Sequence, residues 1–318
     1  MTFYNNKNVL ITGGAGITGH AMIEKMLKEG AYVRATEYKN RKISIKHKNL
    51  EVVSCDLMNH EDCMSSLKDM EICFNFVAFI RGAKGQTEAH NHLDLVRKNL
   101  FPSINMFDAA VKTKIDRFGF IGSSTMYPNT SEPMREEDAF KGEPHPLYMG
   151  VGHMKRYCEK VIEYYSKISK TKFARIRTSA IYGPNDAFNE NGHVIPQLIM
   201  KADKKLNPFE VWGDGTQVRD FVYVGDIVDA LALVTEKRPD ATPYNVATGK
   251  GTTITELVNE ITRIYNYEPI LNYDVTKPTM IHKRLLNVDN IKTDLGWEAK
   301  HSLELGLEKT INWYKDNK

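Results

Sequence analysis

The sequence predicts an α/β protein in which a doubly wound parallel sheet is followed by a smaller, mixed C-terminal lobe. Short buried segments alternate with longer amphipathic ones, a glycine-rich turn joins the first such pair, and the pattern changes after Pro184. Repeated alternation of strands and helices with short joints makes a parallel sheet that helices cover on both faces. The 318 residues, 42% of them hydrophobic and 26% charged, suffice for such a core.

Hydrophobic periodicity places the individual elements. Strands are predicted over residues 7–12, 31–37, 50–55, 71–78, 117–121 and 172–177, and helices over residues 20–29, 60–68, 95–112 and 148–169. After Pro184, residues 185–208 are expected to be rich in loops, and shorter strands and helices follow at residues 210–212, 220–224, 224–235, 254–265 and 302–315. Residues 244–247 are expected to return to the main sheet. We therefore expect residues 1–184, with residues 222–250, to form the first domain and residues 185–318 to form mainly the second.

Charge and cysteine content narrow the range of partners. Lys and Arg number 43 against 40 Asp and Glu, and a net charge of +3 argues against a dedicated nucleic-acid binder. No apolar run approaches the roughly 18 residues of a membrane-spanning helix, so no membrane partner is expected. The start of the sequence lacks the apolar region of a signal peptide, and the four cysteines form no CxxC pair. These features indicate reduced thiols in a cytoplasmic protein, and no cluster of ligands predicts a metal site.

The glycine-rich turn has the pattern Gly13-x-x-Gly16-x-x-Gly19 between the first strand and the first helix. Glycines there allow a tight turn, close approach to a pyrophosphate and tight packing of helix on strand, which is the Rossmann-type dinucleotide site. Glu37 closes the second strand 18 residues after Gly19, where a carboxylate binds the adenosine ribose and repels a 2′-phosphate. The cofactor is therefore predicted to be NAD rather than NADP. The alternative is a plain tight turn.

Further motifs resemble one family along nearly the whole chain. The segments are ITGGAGITGH, GFIGSSTMYP, RTSAIYGP, VWGDGTQVRDFVYVGD and LGWEAK. They are similar to the extended short-chain dehydrogenase/reductase (NAD-dependent epimerase/dehydratase) family, in its nucleotide-sugar branch. The resemblance implies an enzyme that moves a hydride between a sugar and NAD.

The resemblance also assigns cofactor and catalytic positions. The cofactor residues it implies are Gly13, Gly16, Ile17, Gly19, Glu37, Asp56, Leu57, Ala78, Asn99 and Lys155. Asp56 is expected to meet the adenine or, alternatively, to cap a helix. Ser123 and Thr125 match the hydroxyl positions that hold the sugar, although either side chain could instead cap the loop after its strand.

Two segments resemble the GDP-sugar enzymes of that branch. GSSTMYP is similar to a loop of GDP-fucose synthases, and Gly192–Pro196 (GHVIP) is similar to their HVIP segment, whose His acts as an acid at the sugar. The substrate-binding residues implied are Asn189, His193, Val194, Lys201, Trp212, Arg219 and Arg284. Guanidinium groups match phosphate oxygens in bidentate fashion, so Arg219 and Arg284 are expected at the diphosphate. The alternatives are a loop His and surface ion pairs.

The helix that should carry the catalytic Tyr-x-x-x-Lys pair departs from the family pattern. Lys155 and Glu159 match the Lys-x-x-x-Glu step, but the residue four positions before Lys155 is Val151, which cannot carry a proton. Tyr148 lies seven residues before Lys155, about 10 Å along a helix instead of about 6 Å. It is expected to be catalytic only if the helix begins irregularly, which Pro144 and Pro146 would permit, and otherwise to be a packed aromatic residue.

The function predicted from these residues is NAD-dependent oxidation of a GDP-sugar at C4. The catalytic candidates are Ser123, Thr125, Lys155, His193 and Tyr148. The chain also resembles the GDP-manno-heptose 4-dehydrogenases of bacterial capsule synthesis. The alternatives are a nucleotide-sugar epimerase or reductase with a relocated base, and a catalytically silent NAD-binding protein.

The family resemblance also implies an oligomer. Family members pair through two long helices into a four-helix bundle, which here predicts a homodimer or tetramer formed by residues 95–112 and 148–169.

Overall fold

A seven-stranded parallel sheet forms the larger part of the molecule. The computed structural model describes residues 2–79, 89–190 and 192–318. In chain order, the strands of all the sheets in these residues are β1 (Asn8–Thr12), β2 (Tyr32–Glu37), β3 (Leu50–Ser54), β4 (Ile72–Asn75), β5 (Arg117–Ser123), β6 (Lys172–Thr178), β7 (Ala180–Tyr182), β8 (Phe209–Trp212), β9 (Val218–Arg219), β10 (Phe221–Tyr223), β11 (Pro243–Val246), β12 (Thr252–Thr253), β13 (Leu271–Asp274) and β14 (Lys283–Arg284). The main sheet has the order β11-β6-β5-β4-β1-β2-β3, and every neighbouring pair in it is parallel.

Helices cover both faces of this sheet. In the described part of the chain, the helices of both the sheet domain and the smaller lobe are α1 (Ile17–Lys28), α2 (His60–Ser66), α3 (Ala89–Thr113), α4 (Met149–Ile168), α5 (Val194–Asp203), α6 (Val224–Lys237), α7 (Ile254–Ile264), α8 (Asp289–Leu295) and α9 (Leu303–Asn317). Helices α1 and α6 pack together in one buried cluster, and α2, α3 and α4 contribute to a second. The expected fold class, an α/β protein with a doubly wound parallel sheet, is confirmed.

The remaining elements form a smaller lobe with its own core. In this core α5, α7 and α9 pack around Phe209 and Val211 of β8. Three short sheets accompany it in the described residues, with the strand orders β10-β7, β13-β8 and β12-β9-β14. Strand β11 pairs in parallel with β6, so the chain returns from this lobe to the main sheet.

One expectation for this region is wrong. Residues 185–208 were expected to be rich in loops, but Val194–Asp203 is a helix. Pro196 is the third residue of that helix. The first N–H groups of a helix have no partner within it, so a proline is tolerated there without loss of a hydrogen bond.

The ends of two elements near the glycine turn also differ from expectation. Helix α1 begins at Ile17, directly after the turn, rather than at residue 20. Strand β4 ends at Asn75 rather than at residue 78, so Ala78 lies in the loop that follows.

Three further features concern membrane-spanning helices, clusters of metal ligands and the cysteines. None of the helices in the described ranges is both long and apolar enough to span a bilayer. Among the same residues, no three His, Cys, Asp or Glu side chains are grouped so as to hold a metal ion. All four cysteines are buried free thiols.

Candidate active site

The glycine turn forms a close-packed cradle at the carboxyl end of β1. Gly13 has φ +65°, and a Cβ there would lie 3.0 Å from the carbonyl oxygen of Phe76. A Cβ on Gly19 would lie 2.2 Å from the Gly13 oxygen. Side chains are therefore excluded at both positions. Because α1 begins at Ile17, its unpaired N–H groups and positive dipole end face the space where a pyrophosphate would bind.

The expected ribose site lies at the end of β2. The Glu37 carboxylate accepts hydrogen bonds from Lys42 Nζ at 2.6 Å and from the Ile43 amide at 3.2 Å. The Lys42 hydrogen bond lowers the pKa of Glu37, so this side chain is ionised and remains an acceptor at neutral pH. Asp56 accepts from the Tyr38 hydroxyl at 3.1 Å and from the Met58 amide at 3.0 Å.

Two further cofactor candidates, Leu57 and Asn99, make contacts with other parts of the protein. Leu57 is buried in the cluster that α2, α3 and α4 share. Asn99 on α3 accepts from the Phe79 amide at 2.9 Å and donates to the Phe79 oxygen at 2.9 Å and to the Leu95 oxygen at 2.6 Å. Its amide therefore holds the loop after β4, which contains Ala78.

The hydroxyl residues and the lysine meet at the carboxyl end of β5. Ser123 Oγ accepts from the Thr125 amide at 3.2 Å and from Thr125 Oγ1 at 3.0 Å. Lys155 Nζ donates to the Ile121 oxygen at 3.0 Å and lies 4.9 Å from the centroid of the Phe120 ring. Burial lowers the pKa of Lys155, because a low-dielectric surrounding disfavours its charged form.

No proton carrier stands at the usual tyrosine position. Val151 packs against the buried cluster of α3 and α4. The residue four positions after Tyr148 is Gly152, where a Cβ would lie 2.7 Å from the Thr125 oxygen. Helix α4 thus approaches the hydroxyl loop too closely for any side chain at position 152, and Tyr148 has no lysine one turn later.

Tyr148 lies at the irregular start that the prolines upstream permit. A 3₁₀ turn over Pro146–Tyr148 leads into α4. The Tyr148 ring lies 4.5 Å from the guanidinium carbon of Arg284, and its hydroxyl interacts electrostatically with Arg219 as well. The structure therefore brings Tyr148 beside the two arginines expected at the diphosphate.

Those two arginines are direct partners on neighbouring strands. Arg284 of β14 is in register with Arg219 of β9. Arg219 donates to the oxygens of Val218 and His282 at 2.9 and 3.2 Å, whereas Arg284 Nε is buried without a hydrogen-bond partner. Within the described ranges, neither arginine forms an ion pair with a carboxylate.

This juxtaposition changes the ionisation of both groups. Burial, opposed by Tyr148, lowers the pKa of Arg219. Burial, opposed by Tyr148 and assisted by the nearby charge of Arg219, lowers the pKa of Arg284 to about 10. Two cations held together with no carboxylate form a site whose electrostatics favour a dianion.

The loop before α5 carries the histidine candidate. His193 is exposed at the start of that helix, followed by the half-buried Val194. The Asn189 oxygen accepts from the Gln197 side chain. Asp186, which sequence reasoning missed, has a buried Oδ2 atom without a hydrogen-bond partner. Burial raises the pKa of Asp186 and His193 opposes the shift, so the two side chains interact.

The last two substrate candidates converge on a residue that the sequence did not single out. Lys201 of α5 donates to Glu210 Oε2 at 3.0 Å and to the Glu210 backbone oxygen at 2.8 Å. Trp212 Nε1 donates to the same Oε2 at 3.2 Å. Glu210 carries no motif signal, because its Lys201 partner depends on the packing of α5 beside β8; its Trp212 partner lies two residues along the same strand.

Comparison with known proteins decides the family. Residues 9–247 match the NAD dependent epimerase/dehydratase family. The chain belongs to that family. The resemblance inferred from the motifs is thereby confirmed, and this is an NAD-dependent enzyme of the epimerase/dehydratase type.

Individual relatives cover most or all of the chain. The GDP-L-fucose synthase of Escherichia coli (strain K12) is 30% identical over 239 residues, which are 70% of this chain and 74% of that protein. The GDP-L-fucose synthase of Sinorhizobium fredii is 26% identical over 323 residues, which are 100% of this chain and 98% of that protein. The structure of the UDP-glucose 4-epimerase of Thermotoga maritima with UDP-glucose superposes with a TM-score of 0.84 at 25% identity, over 97% of this chain and 99% of that chain.

Proposed function

We propose that this enzyme oxidises a GDP-sugar of the GDP-mannose or GDP-manno-heptose type at C4 to the 4-keto sugar, in surface polysaccharide biosynthesis. The observation that carries the proposal is the packed Val151 beside a retained Lys155 and a retained hydroxyl loop. Oxidation of an alcohol needs a proton sink but no group that reprotonates a chosen face of the sugar. Lys155, Ser123 and Thr125, which match the family pattern, are the residues proposed to hold the substrate and cofactor.

The fit of the cofactor rests on the cradle at the glycine turn. Gly13, Gly16, Ile17 and Gly19 would hold the pyrophosphate, and Glu37 would accept from the ribose hydroxyls once Lys42 moves aside. NAD, when bound, supplies the hydride acceptor. Lys155 binds the nicotinamide ribose and keeps the local potential positive.

At the sugar end of the substrate, side-chain hydroxyl groups of the protein would bind the sugar. Ser123 and Thr125 hold the hydroxyl that is oxidised, since each can accept or donate a hydrogen bond. His193 takes the released proton in this proposal, and the exposed position of its ring lets it pass that proton to water. Arg219 and Arg284 bind the diphosphate as paired cations.

A guanine nucleotide is supported by resemblance and by relatives. The GSSTMYP and GHVIP segments are similar to those of GDP-fucose synthases, and the two relatives named above are GDP-L-fucose synthases. Asn189, Val194, Lys201 and Trp212 complete the proposed nucleotide-sugar site.

The runner-up is an epimerase or reductase with a relocated base. Tyr148 supports it, because this tyrosine lies within the proposed substrate site rather than in the core. A catalytically silent NAD-binding protein is the third candidate. Arg219 and Arg284, which have no carboxylate partner among the described residues, argue against it, since a protein that binds only NAD has no use for a second anion site.

The proposal is tested by mixing the NAD-loaded protein with GDP-mannose or GDP-manno-heptose and following NADH absorbance. We expect one equivalent of NADH per site and a 4-keto product. Lys155→Met should lower the rate a hundredfold or more, because a charged contact in a closed site is lost. Lys160→Met, an exposed lysine of the same helix paired with Glu163, is the matched control.

Other outcomes identify the other candidates. Incorporation of deuterium from heavy water next to C4, without net NADH, would identify an epimerase. Tight binding of the GDP-sugars without reduction of NAD would identify a silent binder.

Exposed apolar surfaces on α3 and α4 support the proposed homodimer or tetramer. Large apolar side chains are exposed there: Leu93, Phe101, Tyr157, Tyr164 and Ile168. A four-helix bundle with a second copy would cover them. A cytoplasmic location is proposed from the buried free thiols.

A further inference from the structure

The open face of β8 presents an acid, an aromatic ring and a base side by side. Residues of a strand alternate between its two faces, and Phe209 and Val211 point into the core of the lobe. Glu210 and Trp212 therefore share the opposite face, where both remain partly exposed. Lys201 reaches this face from α5.

The hydrogen bonds leave Glu210 with one carboxylate oxygen available. Lys201 and Trp212 both donate to Oε2, at 3.0 and 3.2 Å. No residue of the described ranges donates to Oε1. The Lys201 hydrogen bond lowers the pKa of Glu210, so the carboxylate is ionised at neutral pH and can only accept. An ammonium group has three N–H donors, and Lys201 uses two of them on Glu210.

Among nucleobases, guanine is the one that matches this arrangement. Its N1–H and exocyclic N2–H₂ are adjacent donors that a single carboxylate can accept together, and its O6 is an acceptor beside them. Uracil offers one N–H between two carbonyl groups. Adenine and cytosine place a ring acceptor beside their amino group, which a carboxylate repels. The Trp212 ring offers a surface on which any base can stack, so it does not discriminate among them.

We propose that Glu210, held by Lys201 and Trp212, determines specificity for guanine by accepting from N1–H and N2–H₂ while Lys201 donates to O6. This inference rests on the proposed function, because it requires a GDP-sugar as the substrate. It adds the residue that reads the base, whereas Arg219 and Arg284 read only the diphosphate, which all nucleotide-sugars share.

The experiment measures binding of nucleoside diphosphates to the NAD-loaded, full-length protein by calorimetry. IDP lacks the 2-amino group, and XDP carries a carbonyl there. We expect wild-type protein to bind GDP roughly ten- to a hundredfold more tightly than IDP, the range for one hydrogen bond to a charged group. Glu210→Gln should abolish that difference and favour XDP over GDP, because the glutamine amide donates to the carbonyl at C2.

Two further variants distinguish a loss of base recognition from a general loss of binding or folding. Glu210→Asp keeps the charge but retracts it, so it should lose affinity for GDP without gaining affinity for XDP. Glu268→Gln removes an exposed carboxylate of the same lobe and should leave every affinity unchanged. Thermal unfolding of each variant checks that the lobe remains folded.

Each failure has its own meaning. Preference for GDP over UDP that Glu210→Gln leaves intact would overturn this inference alone. Equal binding of GDP and IDP by wild-type protein would do the same. Tighter binding of UDP than of GDP would overturn the GDP assignment of the proposed function, and the guanine inference with it.

Discussion

Two buried arginine sites in this molecule differ in how their charge is compensated. In the sheet, Arg177 of β6 donates from Nε and Nη2 to Glu159 Oε1 and Oε2 at 2.9 and 2.7 Å. Its Nη1 donates to the Tyr127 hydroxyl at 3.0 Å and to the Glu136 oxygen at 2.6 Å. Burial disfavours its charge, but Glu159 outweighs burial and raises the pKa of Arg177.

In the lobe, Arg284 is buried almost as deeply, with 6% of its surface exposed against 1% for Arg177, but it has no carboxylate partner in the part of the chain that the structure describes. Its neighbour in register is another cation, Arg219, and its pKa falls to about 10. The difference teaches what each site is for. In the closed site, Arg177 with Glu159, the carboxylate compensates the guanidinium charge within the fold. In the open site, Arg219 with Arg284, only a bound anion would compensate the charge.

The largest expected effect comes from breaking the closed site. Arg177→Met leaves the fully buried Glu159 with only Arg175, 3.2 Å away, as its ionic partner. We expect the free energy of unfolding to fall by about 3–5 kcal/mol, the usual cost of removing one partner of a buried pair. Urea denaturation measures it. The double variant Arg177→Met/Glu159→Leu should lose less than the sum of the single changes, and strict additivity would show that the two residues are not coupled.

A carboxylate near the open site should make stability depend on pH. Asp220 follows Arg219 in the chain but accepts from the Thr248 and Gly249 amides, at 2.9 Å each, instead of from an arginine. Burial raises its pKa from 3.8 to about 6. The folded state therefore binds more protons than the unfolded state between about pH 4 and pH 6, and stability falls as the pH rises through that window.

The size of this effect follows from the shift. It amounts to about 3 kcal/mol, at 1.36 kcal/mol per unit. Unfolding by urea at a series of pH values, compared with Asp220→Asn, isolates it, because the variant loses hydrogen bonds equally at every pH. Parallel curves for the two proteins between pH 4 and pH 6 would contradict the prediction.

The open site itself should govern binding rather than folding. Arg284→Gln removes the charged contact proposed for the diphosphate, so we expect GDP to bind roughly ten- to a hundredfold more weakly. The free energy of unfolding should stay the same or rise, because a poorly compensated buried charge disappears. Arg263→Gln, which removes an exposed arginine paired with Glu260, is the control. Unchanged affinity for GDP in Arg284→Gln would rule out this pair as the diphosphate site.

The smallest effects are expected at Tyr148, whose ring faces Arg284. Tyr148→Phe keeps that ring, so GDP affinity should change less than about twofold. Tyr148→Ala loses the cation–π contact and should weaken binding roughly two- to tenfold. Both are read by the same calorimetric titration. If Tyr148→Phe abolishes NADH formation instead, this tyrosine is the proton carrier, and the epimerase or reductase candidate gains.

The sequence predicted the main sheet well because its signals are local. Buried strands, the glycine turn and the helix that follows it are each encoded within a few neighbouring residues, and the return of β11 to the sheet follows from its buried Tyr244-Asn245-Val246 run. The error at residues 185–208 has a local cause too. A proline such as Pro196 is typical of a loop, but in the first turn of α5 it removes no helical hydrogen bond.

The site was predictable only where a motif lies on one segment. Ser123 and Thr125, which share one loop, are hydrogen-bonded to each other, and Lys155 donates to the Ile121 oxygen of the strand that precedes this loop. The contact of Tyr148 with Arg284 joins residues far apart in the chain, and the role proposed for Glu210 depends on how α5 packs. Such contacts depend on the relative placement of two elements, which periodicity within each element does not specify.

The register of β9 with β14 would make the stability of the lobe depend on bound substrate. Assembling the lobe brings two like charges together, and a dianion that binds only the assembled strands stabilises them. At a hundredfold excess over its dissociation constant, such a ligand adds about 2.7 kcal/mol. Proteases attack the open form in proportion to its population. With a diphosphate at the proposed site, removal of the nucleotide-sugar would therefore raise the population of the open form and its susceptibility to proteolysis.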